Sequence, residues 1–323
     1  MSRNEFAIVG AGAIGAIIAA HLARSGHGVT VLARGARARQ VQEDGLRITG
    51  LSEISTPVNV VTDPSQLRET GTLIIATKTP GSEETLEQLR HVKLDMAFSI
   101  QNGVQKNELL SRTFGADRTL GALANTSGEL LASGEVLFTR NANLTIGELT
   151  GGTSERATKL AKTIDDSGVR SSVVPDIVVR EWTKFACWVG FVNLALTTRV
   201  VTGRFLSEPD AALLVVRLVR EVAQLATAQG IKLTDDQALL PLRIVLDAPE
   251  AQAIEAVQKV GATYQSASPD HRMSALQDLL AGRRLEVKEI LGFAVRKAAG
   301  LRVPMPLLET FHHIAGAIDR TRD

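Results

Sequence analysis

The sequence predicts an α/β fold, in which a doubly wound parallel sheet is followed by an all-helical C-terminal domain. Three observations carry this reading. Short apolar runs alternate with helical or polar stretches through the N-terminal half, a glycine-rich turn joins the first run to the first helix, and nearly everything after Pro175 has helical spacing. With 323 residues, 44% of them hydrophobic, the chain exceeds one ordinary domain, and a division into 1–176 and 177–323 is expected.

Phe6 to Val9 is a short buried strand that stops at Gly10, and Ile14, Ile17, Ile18 and Leu22 then recur at the spacing of a helix over 13–25. Gly26 and Gly28 close that helix, and Val29 to Leu32 supplies a second strand, completing a βαβ unit. Apolar runs at 58–61, 72–76 and 96–100 continue the sheet. The strand-like segments 120–126, 135–139 and 144–146, separated by Ser-Gly and Asn-rich turns, read as hairpins finishing it. A helix over 154–167 and a strand over 169–174 precede the boundary. Helices are then expected near 178–203, 208–229, 235–246, 250–260, 270–281, 284–299 and 305–319. Gly230, Gly261 and Gly300 serve as stops, and Pro209, Pro269 and Pro304 lie near starts.

Thirty-six basic against 35 acidic residues leave a formal charge of +1, so no global field favours nucleic acid or an anionic membrane, and a small-molecule ligand is expected. The single cysteine, Cys187, excludes an intrachain disulfide and fits a reducing, cytoplasmic compartment. The apolar start is broken by glycines and His21 and lacks a cluster of positive charges. It reads as strand and helix, neither signal peptide nor membrane span.

Gly10-Ala11-Gly12-Ala13-Ile14-Gly15 is G-x-G-x-x-G directly after a strand and opening a helix, the context that makes this pattern a dinucleotide site of the Rossmann type. Gly10 permits the tight turn, Gly12 removes a side chain where a pyrophosphate must approach, and Gly15 lets helix and strand pack closely. Around Ala13 and Ile14 the helix N-terminus offers free N–H donors to the phosphates. NAD would require an acid at the end of the second strand. The strand instead ends Val31-Leu32-Ala33-Arg34, with Arg37 and Arg39 close behind, and a guanidinium suits a 2′-phosphate, so NADP(H) is the expected cofactor and Arg34 its principal ligand.

Several routes to carbonyl chemistry are excluded. The only tyrosine, Tyr264, is followed four positions later by Ser268, which removes the Tyr-x-x-x-Lys pair, and one cysteine with six scattered histidines gives no metal cluster. Lys78 and Gln101-Asn102-Gly103 follow the fourth and fifth strands, on the edge where ligands of open parallel sheets lie. Lys184 sits within the apolar helix Glu181-Trp182-Thr183-Lys184-Phe185-Ala186-Cys187-Trp188, where disfavouring of its charged form suits general acid work. His312-His313 has no acid partner in the sequence and reads as structural.

Together these features resemble the ketopantoate reductase family over nearly the whole chain. The matching pieces are the G-x-G-x-x-G, Arg34, Lys78, Gln101-Asn102-Gly103, Trp182-x-Lys184, and Ser274-x-x-x-Asp278 followed by Gly282-Arg283-x-x-Glu286, with Pro304 and Pro306 near the end. The resemblance implies NADPH-dependent reduction of a 2-oxo acid to a 2-hydroxy acid. It makes Lys184 the general acid, puts Glu286 at the substrate hydroxyl and Ser274 at its carboxylate, and brings Lys78 and Asn102 near nicotinamide and substrate. A small-molecule substrate bound between the domains and no nucleic-acid or membrane partner follow. The apolar C-terminal helices suit either a homodimer interface or a monomer interior.

The chain also departs from the family pattern. The family carries Asn four and eight residues after its lysine, where this chain has Trp188 and Val192. Asn193 lies nine residues on, about half a turn off that face, and could replace them only if a bulge rotated the helix. Thr202 and His271 occupy two further positions where the family's polar contacts are expected. An apolar replacement rejects a substrate whose polar group would be buried without a partner, so a more apolar or larger 2-oxo acid or ketone is expected, with Trp188 lining its site. The rival readings are a 3-hydroxy acid dehydrogenase-like oxidoreductase and a non-catalytic NADP(H)-sensing protein.

Overall fold

In the computed structural model, which describes residues 5–236 and 238–321, the N-terminal half runs β1 (Phe6–Val9), α1 (Ala13–Arg24), β2 (Val29–Leu32), α2 (Gly35–Asp44), β3 (Leu46–Gly50), β4 (Ile54–Thr56), β5 (Asn59–Val61) and β6 (Glu69–Ile75). It continues through α3 (Ser82–Leu89), β7 (Lys93–Ser99), α4 (Gln105–Phe114), β8 (Leu120–Leu130), β9 (Val136–Glu148), α5 (Glu155–Asp166) and β10 (Ser171–Val173). The chain divides into two compact units, the first ending at Val178 and the second beginning at Val179.

A parallel sheet of order β5-β2-β1-β6-β7 forms the centre of the first unit. Its central strand β1, Phe-Ala-Ile-Val, is buried along its whole length because both of its faces are covered. Phe6 and Ile8 of β1 enter one core with α1, while Ala7 and Val9 enter a second core with Leu86 and Leu89 of α3 and Leu110 and Phe114 of α4.

The segments after Thr119 do not finish this sheet. They form one long antiparallel hairpin, β8 with β9, belonging to a second sheet of order β10-β9-β3-β4. The link to the first sheet is an isolated bridge between Ala97 and Thr119. The physical reason lies in α1, whose residues Ala16 to Ala20 are apolar and buried throughout. A helix apolar on every side must be enclosed on every side. The parallel sheet covers one flank, and Leu46, Ile48, Val136, Phe138 and Ile146 of the second sheet cover the other.

The second unit carries α6 (Ile177–Thr198) from Val179 onward, α7 (Thr202–Ser207), α8 (Pro209–Thr227), α9 (Leu242–Asp247), α10 (Glu250–Ala267), α11 (Ser274–Leu280), α12 (Val287–Leu301) and α13 (Pro306–Arg320). Its helix ends use charge as well as turn residues. Glu208 caps α8 through Ala211 N (2.7 Å), and the Glu221 carboxylate, on α8, accepts from Leu307 N (2.9 Å) and Leu308 N (2.8 Å) in the first turn of α13. No helix among the described residues is long and apolar enough to cross a membrane.

Several expected boundaries move. Gly261 does not stop a helix. It lies inside α10, where a Cβ would come within 2.6 Å of Ser207 N, and a Cβ on Gly203 of α7 would come within 3.0 Å of Gly261 O, so two glycines let the helix backbones touch. Gly300 also lies inside its helix, which ends at Arg302 in the left-handed conformation (φ 57°). The helix expected over 235–246 is confined to α9 because Pro241 lacks the N–H needed to continue a helix back through it. Neither Pro269 nor Pro304 begins a helix, and the first-turn proline of α13 is Pro306.

These contacts predict opposite effects at two helical glycines. Gly261→Ala should cost about 1–3 kcal/mol through backbone overlap. Gly300→Ala, whose Cβ would stand in open space, should gain about 0.5–1 kcal/mol. Urea unfolding of both variants measures the difference.

Candidate active site

The glycine turn differs in geometry at each of its three positions. Gly10 has φ 106°, and a Cβ there would stand 2.9 Å from Thr77 N. At Gly15 a Cβ would overlap Gly10 O and lie 2.9 Å from the Ala76 methyl, so only glycine lets α1 lie this close to β1 and the end of β6. At Gly12 a Cβ would meet nothing within 4 Å. Gly12 is the N-cap of α1 and supplies no side-chain cap, which leaves the first-turn N–H groups of Ala13, Ile14 and Gly15 open to a ligand. A bare helix end facing open space fits the diphosphate of a dinucleotide.

Arg34, Lys78 and Asn102 all stand with this turn at the carboxyl edge of one sheet. Gly10 follows β1, and β1 and β6 are the adjacent strands where the connection reverses direction. Arg34, exposed at the end of β2, donates from Nη2 to Gln88 Oε1 of α3 (2.9 Å). Arg39 is exposed, while Arg37 turns inward, to the Ala11 and Gly134 carbonyls.

Buried polar groups that sequence periodicity does not mark hold this edge in place. The Gln101 carboxamide accepts from Ser99 Oγ (3.1 Å) and donates to Ser82 Oγ (2.7 Å) and the Lys78 carbonyl (3.2 Å), so one side chain pins the loop after β6 to the end of β7. Lys106, only 4% exposed, donates to the carbonyls of Gln101 (3.0 Å) and of Ala122 in β8. It fixes the backbone immediately before Asn102. The signal for it was three successive polar residues, Gln105-Lys106-Asn107, all buried in the first turn of α4, and burial is not readable from such a run.

In the second unit, Lys184 is the one side chain between Glu181 and Leu196 that is not buried. On the same helix Trp182 meets Phe185 edge-on (5.7 Å between centroids), and Phe185 stacks on Trp188 (6.4 Å). Helix α6 runs without a bulge, so Trp188 and Val192 occupy successive turns on the face of Lys184, and Asn193 does not reach that face. Asn193 is buried and donates to Val189 O (2.9 Å). Cys187 is also buried, and that burial pushes its thiol up to about 12, which removes it as a nucleophile.

Ser274 is exposed at the start of α11, and Glu286 is 8% exposed at the N-cap of α12. The loop between them is closed by Asp278, buried, whose Oδ1 lies 2.8 Å from Arg283 Nε and whose carbonyl accepts from Arg283 N. Thr202 and His271 bond to each other, through Thr202 N to His271 O (2.8 Å) and through Thr202 Oγ1 with His271 Nδ1 (2.8 Å), and His271 lies 5.0 Å from the Tyr264 ring. His312 packs against Gly292, with its pKa lowered first by burial and then by His313, Arg296 and Arg320. Among the described residues no cluster of His, Cys, Asp and Glu could hold a metal ion.

Comparison with known proteins gives matches along the whole chain. The family model described as ketopantoate reductase PanE/ApbA matches residues 6–151, and the model of that family's C-terminal part matches residues 176–319. The 2-dehydropantoate 2-reductase of Archaeoglobus fulgidus is 25% identical over 319 residues, covering 99% of each chain. The crystal structure of a PanE/ApbA family ketopantoate reductase from Ralstonia eutropha superposes with a TM-score of 0.82 at 23% identity, covering 98% of this chain and 99% of that one. D-mandelate dehydrogenase in a ternary structure with NADH and anilino(oxo)acetate gives the same TM-score at 21% identity and the same coverage.

The glycine geometry separates binding from stability. Gly12→Val should abolish measurable NADPH binding at micromolar protein while leaving the melting temperature within about 2 °C, because its side chain fills only open space. Gly15→Val should lower the melting temperature by several degrees. Dye-monitored melting and NADPH fluorescence titration of both variants test the pair.

Proposed function

The chain belongs to the ketopantoate reductase PanE/ApbA family of NADP-dependent oxidoreductases that interconvert an alcohol and a carbonyl, and from that premise we propose that it reduces a 2-oxo acid to a 2-hydroxy acid with Lys184 as the general acid. The observation that carries this reading is Lys184 itself, partly exposed in a stretch of α6 that is otherwise buried from Glu181 to Leu196. The glycine turn and Arg34 hold the cofactor, with Lys78 and Asn102 beside its nicotinamide end. Bound there, the reduced nicotinamide supplies the hydride.

The residues of this chain supply the rest. The Lys184 ammonium polarises the ketone oxygen and gives it a proton as negative charge develops there. Glu286 accepts a hydrogen bond from the hydroxyl being formed, and Ser274 donates to the substrate carboxylate. Arg34 contacts the 2′-phosphate and sets the preference for NADPH.

The substrate is a 2-oxo acid whose substituent is apolar, branched or aromatic. Trp188 and Val192 stand one and two turns beyond Lys184 on its face of α6 and are both buried, 7% and 0% exposed, so neither position offers a polar side chain to a hydroxyl-bearing substituent. Thr202 and His271 satisfy each other, which removes two further polar contacts from a polar substrate. Anilino(oxo)acetate in the D-mandelate dehydrogenase structure is a ligand of this class, and it favours the aromatic version.

NADPH consumption with ketopantoate, branched 2-oxo acids and phenylglyoxylate should be fastest for an apolar member. Lys184→Ala should lower kcat by about 10²–10⁴ with NADPH affinity unchanged. The double variant Trp188→Asn, Val192→Asn should raise kcat/KM for ketopantoate and lower it for phenylglyoxylate. Equal rates for ketopantoate before and after this change would refute the assignment of these two positions, and activity retained in Lys184→Ala would refute the mechanism.

A further inference from the structure

Arg37 belongs by sequence to a basic turn, but its side chain folds back onto the glycine turn. Nε donates to Ala11 O (2.8 Å), and Nη1 donates to Gly134 O (2.7 Å) and to Gln40 Oε1. Every acceptor is neutral. Nη2 is buried with no hydrogen-bond partner among the described residues, and burial alone draws the pKa of the group below the ordinary arginine range. The expected basic turn is the start of helix α2, and a guanidinium there that is partly withdrawn from water and held only by neutral oxygens is a costly arrangement. It lies against the turn that receives a diphosphate.

The peptide it grips explains the placement. In a planar trans peptide the C=O and the following N–H point in opposite directions. Arg37 holds the Ala11 carbonyl on its own side and so fixes the Gly12 N–H on the other. Gly12 is the position where a Cβ would meet nothing within 4 Å. The grip is itself braced by the tip of the β8–β9 hairpin. Gly134 has φ 82°, and a Cβ there would overlap the Gln40 carboxamide, which reaches both Arg37 and Ser133 O (3.3 Å). Glycine turn, α2 and hairpin tip are thus joined through one cation.

We propose that Arg37 is a positioning residue for the cofactor, which sets the Ala11–Gly12 peptide toward the dinucleotide diphosphate and leaves an unneutralised positive charge beside it. The diphosphate is common to NADPH and NADH, so Arg37 acts on both. Arg34, at the strand end, acts on the 2′-phosphate that NADPH alone carries.

Binding of NADPH and of NADH to the full-length protein without substrate, measured by nicotinamide fluorescence, tests this independently of the substrate. Arg37→Met should raise Kd about tenfold for both nucleotides, a loss typical of a charged hydrogen-bonding group, with kcat at saturating NADPH within about twofold. Arg34→Met should raise Kd for NADPH alone. If Arg37→Met does not fold, Arg37→Lys, which keeps the charge but cannot span both carbonyls, should show the same parallel weakening. Loss confined to NADPH would make Arg37 a direct 2′-phosphate ligand and overturn the proposal, as would unchanged affinity for both nucleotides.

Discussion

The first unit depends on how closely α1 approaches the parallel sheet. A Cβ at Gly15 would overlap Gly10 O and press on Ala76, so the absence of one side chain brings the helix down onto β1 and the end of β6. Much follows from that contact. It puts the bare N-terminus of α1 at the carboxyl edge of the central strand, and it buries a helix with no polar face, which obliges a second sheet to close over its far side. The hairpin recruited for that purpose, β8 with β9, also carries Gly134 at its tip, which returns to brace the glycine turn through Arg37.

Polar groups hold the site's loops by a common device, a side chain donating to backbone carbonyls. Gln101 does so for the loop after β6, Lys106 for the backbone before Asn102, and Arg37 for the glycine turn. Such bonds fix the direction of a peptide as well as its position.

In the second unit the same economy operates on apolar side chains. Along α6, Trp182 meets Phe185 edge-on and Phe185 stacks on Trp188. The family assignment fixes the type of chemistry, the interconversion of an alcohol and a carbonyl.

The sequence by itself determined what local rules govern. The βαβ unit and glycine turn were legible because turn, helix start and strand end are set within about thirty residues. The lysine helix was legible because one charge in an apolar run is conspicuous, and the absence of a bulge leaves the spacing of Lys184, Trp188 and Val192 as the numbering implies. What only the tertiary structure decided depends on partners distant in the chain. The segments 120–126, 135–139 and 144–146 are extended as expected, but the last two are one continuous strand, β9, with no Asn-rich turn between them; strand periodicity is the same for either sheet, and only the uncovered flank of α1 assigned them to the second. Gly261 and a true stop have the same composition signal, and only the backbone of α7 against it distinguishes a crossing from an end. Arg37 reads like any solvated arginine until Ala11 and Gly134, 26 and 97 residues away, are seen to converge on it. A hydrogen bond between residues so far apart has no local pattern, because only the folded chain brings its donor and acceptor together.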